Sequence, residues 1–427
     1  MLFHGGVVTL RGVNVDKSRL SADISPSHRW PLYAAGFTTA FGAHAVAAGL
    51  GAESADIGLS LLGLGVLLAL YDIAEVFLKP VFGAVSDRIG PKPVIIGGLL
   101  AFSAASLIGL WADEPLMLAA ARLGQGMAAS AFTPASSASV ARLAGKHTGR
   151  YFGRYGSWKG LGYAIGPLLG AVAIIAGGFS LLFLILSLLG LAVAAWAAIS
   201  VPRLVPLPRP RYTIIDVWKQ STERSFLGPT VVLAASTGAL GAAVGFLPAL
   251  AAREGLGTAG SVAVVTVLAL ASSLVQPRIG RLRDRGVLAD RPGMVAGLLA
   301  IALGVLIAGL LPGAMAMDGA ISMYRAVPIY CAAIFIGLGI GVATPLAFAH
   351  LADATPAERL GRTMGSAELG RELGDAGGPL LVGGVAVAAG LPWGLGTLAL
   401  AVGAAAFAAP ASAASGSVTK PSRKPRV

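Results

Sequence analysis

From Trp30 to Ala409 the chain is a succession of apolar runs, each close to the roughly 20 residues an α-helix needs to cross the hydrocarbon core of a bilayer. Twelve such runs are legible: Trp30–Leu50, Ile57–Phe82, Pro93–Trp111, Pro115–Leu143, Gly153–Ile175, Gly178–Val201, Gly228–Ala251, Ser261–Ile279, Gly293–Pro312, Val327–Ala352, Arg362–Ala388 and Leu391–Ala409. Lipid offers no partner for a backbone N–H or C=O, so runs of this length predict helices and an all-α polytopic membrane protein. Only 12% of the residues are charged, about half of what a soluble domain carries.

The charges that remain are placed unevenly. Net charge is +12, with 32 Lys and Arg. Arg253 and Arg325 fall on one side of the predicted membrane, and Lys79, Arg122, Lys159 and Arg371 lie inside runs. Every other Lys and Arg falls in the tails and loops of the opposite side or at the run ends that border them. That is the positive-inside pattern, which puts both termini in the cytoplasm of a cell (inner or plasma) membrane and makes nucleic acid a poor partner for the basic charge. The single cysteine, Cys331, excludes an internal disulfide and reads as apolar filler.

The organisation follows from the runs. Residues 1–29 form a polar cytoplasmic tail without the charge, apolar and small-residue order of a signal peptide. Residues 30–201 hold six runs and 228–410 hold six more. The connection 202–227 is Pro- and Arg-rich, and Ile214 to Ser221 reads equally as a surface amphipathic helix or a solvated linker. A Ser-, Lys- and Pro-rich tail closes the chain at 411–427.

The two sets of six are copies. Gly83-Ala84-Val85-Ser86-Asp87-Arg88-Ile89-Gly90-Pro91-Lys92 is echoed by Gly280-Arg281-Leu282-Arg283-Asp284-Arg285-Gly286. Gly149-Arg150, Lys159, Gly166 and Pro167 recur at a constant shift as Gly361-Arg362, Arg371, Gly378 and Pro379. Parallel duplication of a six-helix unit around a long central loop is the plan of a transporter whose halves rock on one another.

Three motifs give this pattern a family. Gly83 to Lys92 resembles the loop between the second and third helices of the major facilitator superfamily, with Val85 and Pro91 as departures. Arg122-Leu123-Gly124-Gln125-Gly126 resembles the fourth-helix motif of its drug:proton antiporters. Gly162-Tyr163-Ala164-Ile165-Gly166-Pro167-Leu168-Leu169-Gly170-Ala171 is similar to their fifth-helix antiporter motif, with Ala171 in place of the final Gly. The resemblance spans about residues 30 to 410. It implies twelve transmembrane helices in two six-helix bundles, the major facilitator fold. It also implies that Asp87 links the two halves as a cytoplasmic gate and that Arg122 assists proton transfer.

The residues support those roles physically. A carboxylate at Asp87 can accept from orphan backbone N–H groups at a neighbouring helix N-terminus, and the eleventh helix starts near Arg362 on the same side. Asp284 can do the same toward the fifth helix, near Arg150. Gly83, Arg88, Gly90, Lys92 and Arg285 complete the gating loops, Gly90 by allowing a tight turn. Gly162, Gly166 and Gly170 share one helical face, where small residues let two helices pack closely, and Pro167 and Pro379 predict bends beside Gly166 and Gly378.

A charge at a helix centre costs roughly 2.5–3.5 kcal/mol on insertion scales, so each charge inside a run calls for a cavity or a partner. Glu75 and Lys79 are spaced to pair. Asp72, one turn deeper and without a cation within one turn, is the first proton-carrier candidate and Glu75 the second; a structural pairing with Arg122 or Lys159 is the competing reading. Arg371 is flanked by Glu368 and Asp375, which neutralise it, while Glu372 faces a quarter-turn away. Lys159, with no local acid, is the stronger candidate to meet a carboxylate of the cavity or an anionic cargo; Lys159, Arg371 and Asp375 are the substrate-cavity candidates. A lone His44 reads as hydrogen-bonded and silent.

No phosphate-binding Gly-rich loop, metal-ligand cluster or nucleophile elbow stands out, so neither an enzyme nor a cofactor or metal site is expected. The expectation is a monomeric carrier in a lipid bilayer, exporting small amphipathic molecules against protons by alternating access. A proton symporter or facilitator for a polar metabolite, and a non-transporting receptor on a carrier fold, are the alternatives.

Overall fold

A computed structural model describes residues 7–10, 13–16, 28–53, 61–111, 115–204, 224–314 and 322–410. The expected amphipathic segment 214–221, most of the N-terminal tail and the C-terminal tail lie outside the described residues. Within the N-terminal tail a short antiparallel hairpin pairs Val7–Leu10 (β1) with Val13–Asp16 (β2).

Everything else of regular structure is helical. The spans are α1 (Trp30–Glu53), α2 (Leu61–Ile89), α3 (Pro91–Ile108) and α4 (Pro115–Ala144), then a continuous stretch Thr148–Ser200. After the central connection come α7 (Arg224–Arg253), α8 (Gly257–Asp284), α9 (Asp290–Ala314), α10 (Ser322–Ala354), α11 (Leu360–Ala389) and α12 (Leu391–Ala405). The stretch Thr148–Ser200 is two spans: the helix breaks at Gly177 and Gly178, and Gly178 at φ 69°, ψ −171° takes a conformation that only glycine adopts freely. The arms are α5 (148–176) and α6 (179–200). That makes twelve α-helices among the described residues, and seven of the described helical stretches are by length and hydropathy alone sufficient to cross a membrane.

Packing repeats between the halves. In the first, α1 lies on α5, α2 on α4 and α3 on α4; in the second, α7 lies on α11, α8 on α10 and α9 on α10. The glycine stripe explains the first pairing. A Cβ at Gly162 would sit 2.8 Å from the Phe37 carbonyl oxygen, and one at Gly170 would sit 2.9 Å from Ala45 Cα, so α5 rests on the backbone of α1. Gly374 and Gly378 rest on Ala234 and Gly238 of α7 in the same way. α5 continues as a helix through Pro167, and its non-helical break comes ten residues later, at Gly177. Outward faces are apolar, with Ile175, Ile199, Val387 and Leu400 three-quarters exposed or more, as a lipid-facing surface requires.

The halves meet chiefly through α2 with α11 and α5 with α8. Both contacts are tightest near the face that carries Arg88, Lys92 and Arg285, hereafter the basic face. Gly83 meets the backbone of Gly361, Gly365 meets that of Lys79, Gly149 meets that of Gly280, and Gly153 meets that of Gln276. Toward the opposite face Leu168 of α5 and the Ala259 to Val267 segment of α8 line a shallow, open apolar depression.

Candidate functional site

Two clamps close the basic face. Asp87, two residues before the end of α2, accepts through Oδ1 from the Gly361 N–H at 2.8 Å and through Oδ2 from the Arg362 N–H at 2.9 Å. Both donors belong to the first turn of α11, where no intrahelical acceptor exists and the helix dipole favours a negative charge. Asp284, the last residue of α8, accepts from the N–H groups of Gly149 and Arg150 at 2.9 and 2.8 Å, in the first turn of α5. The repeat in the sequence is thus a repeat in geometry, each half gripping the other by the same bidentate contact. The glycines make it possible. A Cβ at Gly361 would lie 2.6 Å from Asp87 Oδ1, and one at Gly149 would lie 2.7 Å from Asp284 Oδ1.

The second clamp has a wider surround. Arg283 donates from Nε to Asp290 at 2.6 Å, from Nη2 to Asp353 at 2.8 Å and from Nη1 to the Thr148 hydroxyl at 2.8 Å. His350 Nδ1 lies 2.9 Å from Asp290 Oδ2. These bonds tie α8, α9 and α10 to the start of α5.

Behind the clamps lies a buried ladder of alternating charge. Lys79 Nζ donates to Glu75 at 2.7 Å on its own helix and to Glu372 of α11 at 2.6 Å. Glu372 accepts from Arg371 at 3.2 Å, Arg371 Nε donates to Glu368 at 3.1 Å, and Glu368 accepts from Lys159 of α5 at 3.2 Å. All six groups are under a tenth exposed, with Lys79 and Glu368 fully buried. Three acids and three bases cancel, as burial in a low-dielectric interior demands. The ladder crosses between the halves twice, at Lys79–Glu372 and at Lys159–Glu368.

This arrangement differs from the sequence expectation in definite ways. Arg371 pairs with Glu368, but its second partner is Glu372, the residue expected to face away, and Asp375 makes no ion pair among the described residues. The side chain of Arg371 reaches back along α11 rather than forward. Lys159 meets an acid of the opposite half, Glu368, and not Asp72 or Glu75. Glu75 pairs with Lys79, and Tyr71 donates to it at 3.3 Å. Asp72 is exposed, lies in the electrostatic reach of Glu75, Arg122, Glu372 and Asp375, and makes no ion pair among the described residues.

Arg122 is buried, and its guanidinium sits 4.5 Å over the ring of Tyr71, while Nε and Nη1 have no hydrogen-bond partner among the described residues. A cation–π contact offsets only part of the cost of such burial. Gln125, one turn on, donates to Ser106 at 2.9 Å and fixes α4 to α3. His44 is bonded to the Ala40 carbonyl at 3.1 Å. The second half fills the place of Glu75 and Lys79 with Ser272 and Gln276, joined at 3.2 Å, so the charged ladder is one-sided.

Twelve spans in two packed halves with clamps built on the duplicated loops describe a carrier, and the sequence profile of the Major Facilitator Superfamily matches residues 32–379. The chain belongs to the Major Facilitator Superfamily. Its helices make it a multi-pass membrane protein of that family.

Similar proteins include a "Multidrug resistance protein B homolog" of Mycobacterium tuberculosis, 35% identical over 150 residues, covering 35% of this chain and 28% of the relative. The class H tetracycline resistance protein of Pasteurella multocida is 34% identical over 108 residues, covering 25% of this chain and 27% of the relative. The match thus spans between a quarter and a third of each of these relatives. The crystal structure of the human organic anion transporter MFSD10 (TETRAN) superimposes with a TM-score of 0.72, covering 90% of this chain and all of that one at 16% identity, a likeness of fold.

Proposed function

We propose that this transporter exports small amphipathic molecules across a cell membrane in exchange for protons, by alternating access, with the basic face and both termini in the cytoplasm. The observation that carries the reading is the buried ladder that crosses the halves at Lys79–Glu372 and Lys159–Glu368 directly behind the two clamps. Its carboxylates hold the cytoplasmic side shut only while they are ionised. A proton arriving at one of them removes an attraction and leaves a buried cation unbalanced, which favours separating the halves at that end.

Asp72 is the entry point in this scheme. It makes no ion pair among the described residues and lies two turns from Lys79, farther from the basic face, so a proton from the opposite side reaches it before it reaches Lys79. Arg122, beside Tyr71 and Asp72 with open donors, can take the deprotonated carboxylate as the cycle proceeds. Drug-resistance relatives of two kinds support the outward direction of transport. Gating by Asp87 and Asp284 fits a carrier better than a static receptor.

Everted vesicles with an acidified lumen test the proposal. Addition of an amphipathic compound should collapse the pH gradient only when the protein is present, and D72N should abolish the response. A broad panel without any protein-dependent collapse would remove proton-coupled export.

A further inference from the structure

A cavity of about 50 Å³ lies between the halves, walled by α5, α7, α8, α10 and α11. Four polar atoms on its lining residues are buried and lack a hydrogen-bond partner among the described residues: Tyr155 OH, Gln276 Oε1, Thr344 Oγ1 and Glu368 Oε1. Buried polar groups are nearly always satisfied, so four orphans around one void mark a place for a ligand. Tyr155 and Gln276 are 3% exposed and Glu368 not at all. Beside them the wall is apolar, formed by Phe152, Leu240, Leu268, Ile340 and Phe348, with the rings of Phe152 and Phe348 stacked 5.6 Å apart.

The void is lined by two cations, Lys159 and Arg371, and one carboxylate, Glu368; Arg371 finds its second acid, Glu372, beyond the lining, so only the ladder as a whole is neutral. Glu368 Oε2 carries both Lys159 Nζ at 3.2 Å and Arg371 Nε at 3.1 Å. A cationic group at the free Oε1 would meet a carboxylate with two cations on it, and their repulsion would offset the attraction. A neutral group suffers no such penalty. It can donate to Glu368 Oε1 and Gln276 Oε1 and exchange either sense of bond with the hydroxyls of Thr344 and Tyr155. The volume admits a water or two, or one small polar group, but not a whole drug-sized molecule.

We propose that this cavity is a head-group pocket for neutral amphiphiles, taking a hydroxyl or carboxamide from a ligand whose apolar part lies against the neighbouring aliphatic and aromatic wall. The assignment rests on the efflux reading above and narrows it: the cargo is defined by uncharged donor–acceptor chemistry and not by positive charge. Water fills the pocket between cargoes.

Calorimetric titration of the full chain in lipid nanodiscs tests this, because equilibrium binding needs no proton flux. Two probes are compared: chloramphenicol, neutral with an amide and two hydroxyls, and tetraphenylphosphonium, a cation without a donor. T344V, Q276M and Y155F should each weaken chloramphenicol binding about tenfold, the loss of one buried hydrogen bond, and leave tetraphenylphosphonium within twofold. T344S, which keeps the hydroxyl, should restore binding, separating a lost bond from a lost fold. Equal affinity of the three variants and the unaltered chain, an equal loss for both probes, or no binding of chloramphenicol at all would overturn the pocket. Chloramphenicol bound through these side chains in a protein that moves no protons in vesicles would support the pocket while removing the efflux reading.

Discussion

Lys79 of α2 reaches Glu372 of α11 at 2.6 Å, with the ammonium group wholly buried and Glu75 on its other side at 2.7 Å. One cation therefore serves two acids, one from each half of the carrier. Removing either member leaves a charge without its counterpart in a place water does not reach.

That arrangement makes stability and transport separable. E372A or K79A should lower stability by about 3–5 kcal/mol, the usual cost of breaking a buried pair from one side. The double replacement K79M/E75M, which leaves Glu372 with Arg371 and Glu368 with Lys159, should recover much of that loss and still show no proton-driven flux. Thermal unfolding in detergent, measured beside vesicle flux, checks both halves of the statement.

The clamps should act independently and equally. D87A and D284A each strip the acceptor from two first-turn N–H groups, and leaving such donors unsatisfied costs about 1–3 kcal/mol. Labelling of a single cysteine placed on the basic-face side of the interface, in a C331S background, should accelerate in each variant. It should accelerate further in the double variant. An unchanged rate in all three would show that the carboxylates do not hold this face shut.

Glycine at the contact points is a steric requirement. A Cβ at Gly361 would press on Asp87, and a Cβ at Gly149 on Asp284. G361V and G149V should keep the fold, since each lies at a helix start, but should hold the halves apart. The expected readout is faster cysteine labelling with flux reduced tenfold or more.

Asp72 stands outside the ladder, so its replacement should be inexpensive. D72N should change the unfolding free energy by no more than about 1 kcal/mol, because no ion pair of Asp72 among the described residues is lost. Flux driven by a pH gradient should nonetheless disappear. Proton-independent exchange of labelled cargo should survive, which a misfolded protein could not support.

Much of this was readable from the chain. Apolar runs located the spans because a bilayer leaves the backbone no other choice, and the echo of Gly83–Lys92 in Gly280–Gly286 pointed to both clamp acids. Charges at 75, 79, 159 and 371 announced themselves by their cost in lipid. What the sequence left open was who meets whom. Glu372 was read from its position on one helical wheel, as facing away from Arg371, whereas its partner Lys79 lies almost 300 residues earlier. A usable signal was present: if Asp87 touches the start of α11, then α2 and α11 run past each other from that point, and Lys79 must face the turns that hold Glu368 to Glu372. The orphan atoms around Thr344 and Gln276 carried no such signal, because an uncharged polar residue in a helix costs little and every pairing alternative looks alike until the helices are packed.

The most direct test is a distance across the basic face as protons are added. Spin labels at Lys146, in the exposed turn between α4 and α5, and at Val287, in the exposed turn after α8, sit on opposite halves beside the second clamp. Electron–electron double resonance on C331S/K146C/V287C in nanodiscs, at pH 8 and at pH 5, reports whether that face opens. The account predicts a short distance at pH 8, a longer population at pH 5, and the longer population already at pH 8 when E372Q is introduced. A single distance, unchanged by pH and by E372Q, would contradict the claim that protons unlock the halves through the buried ladder.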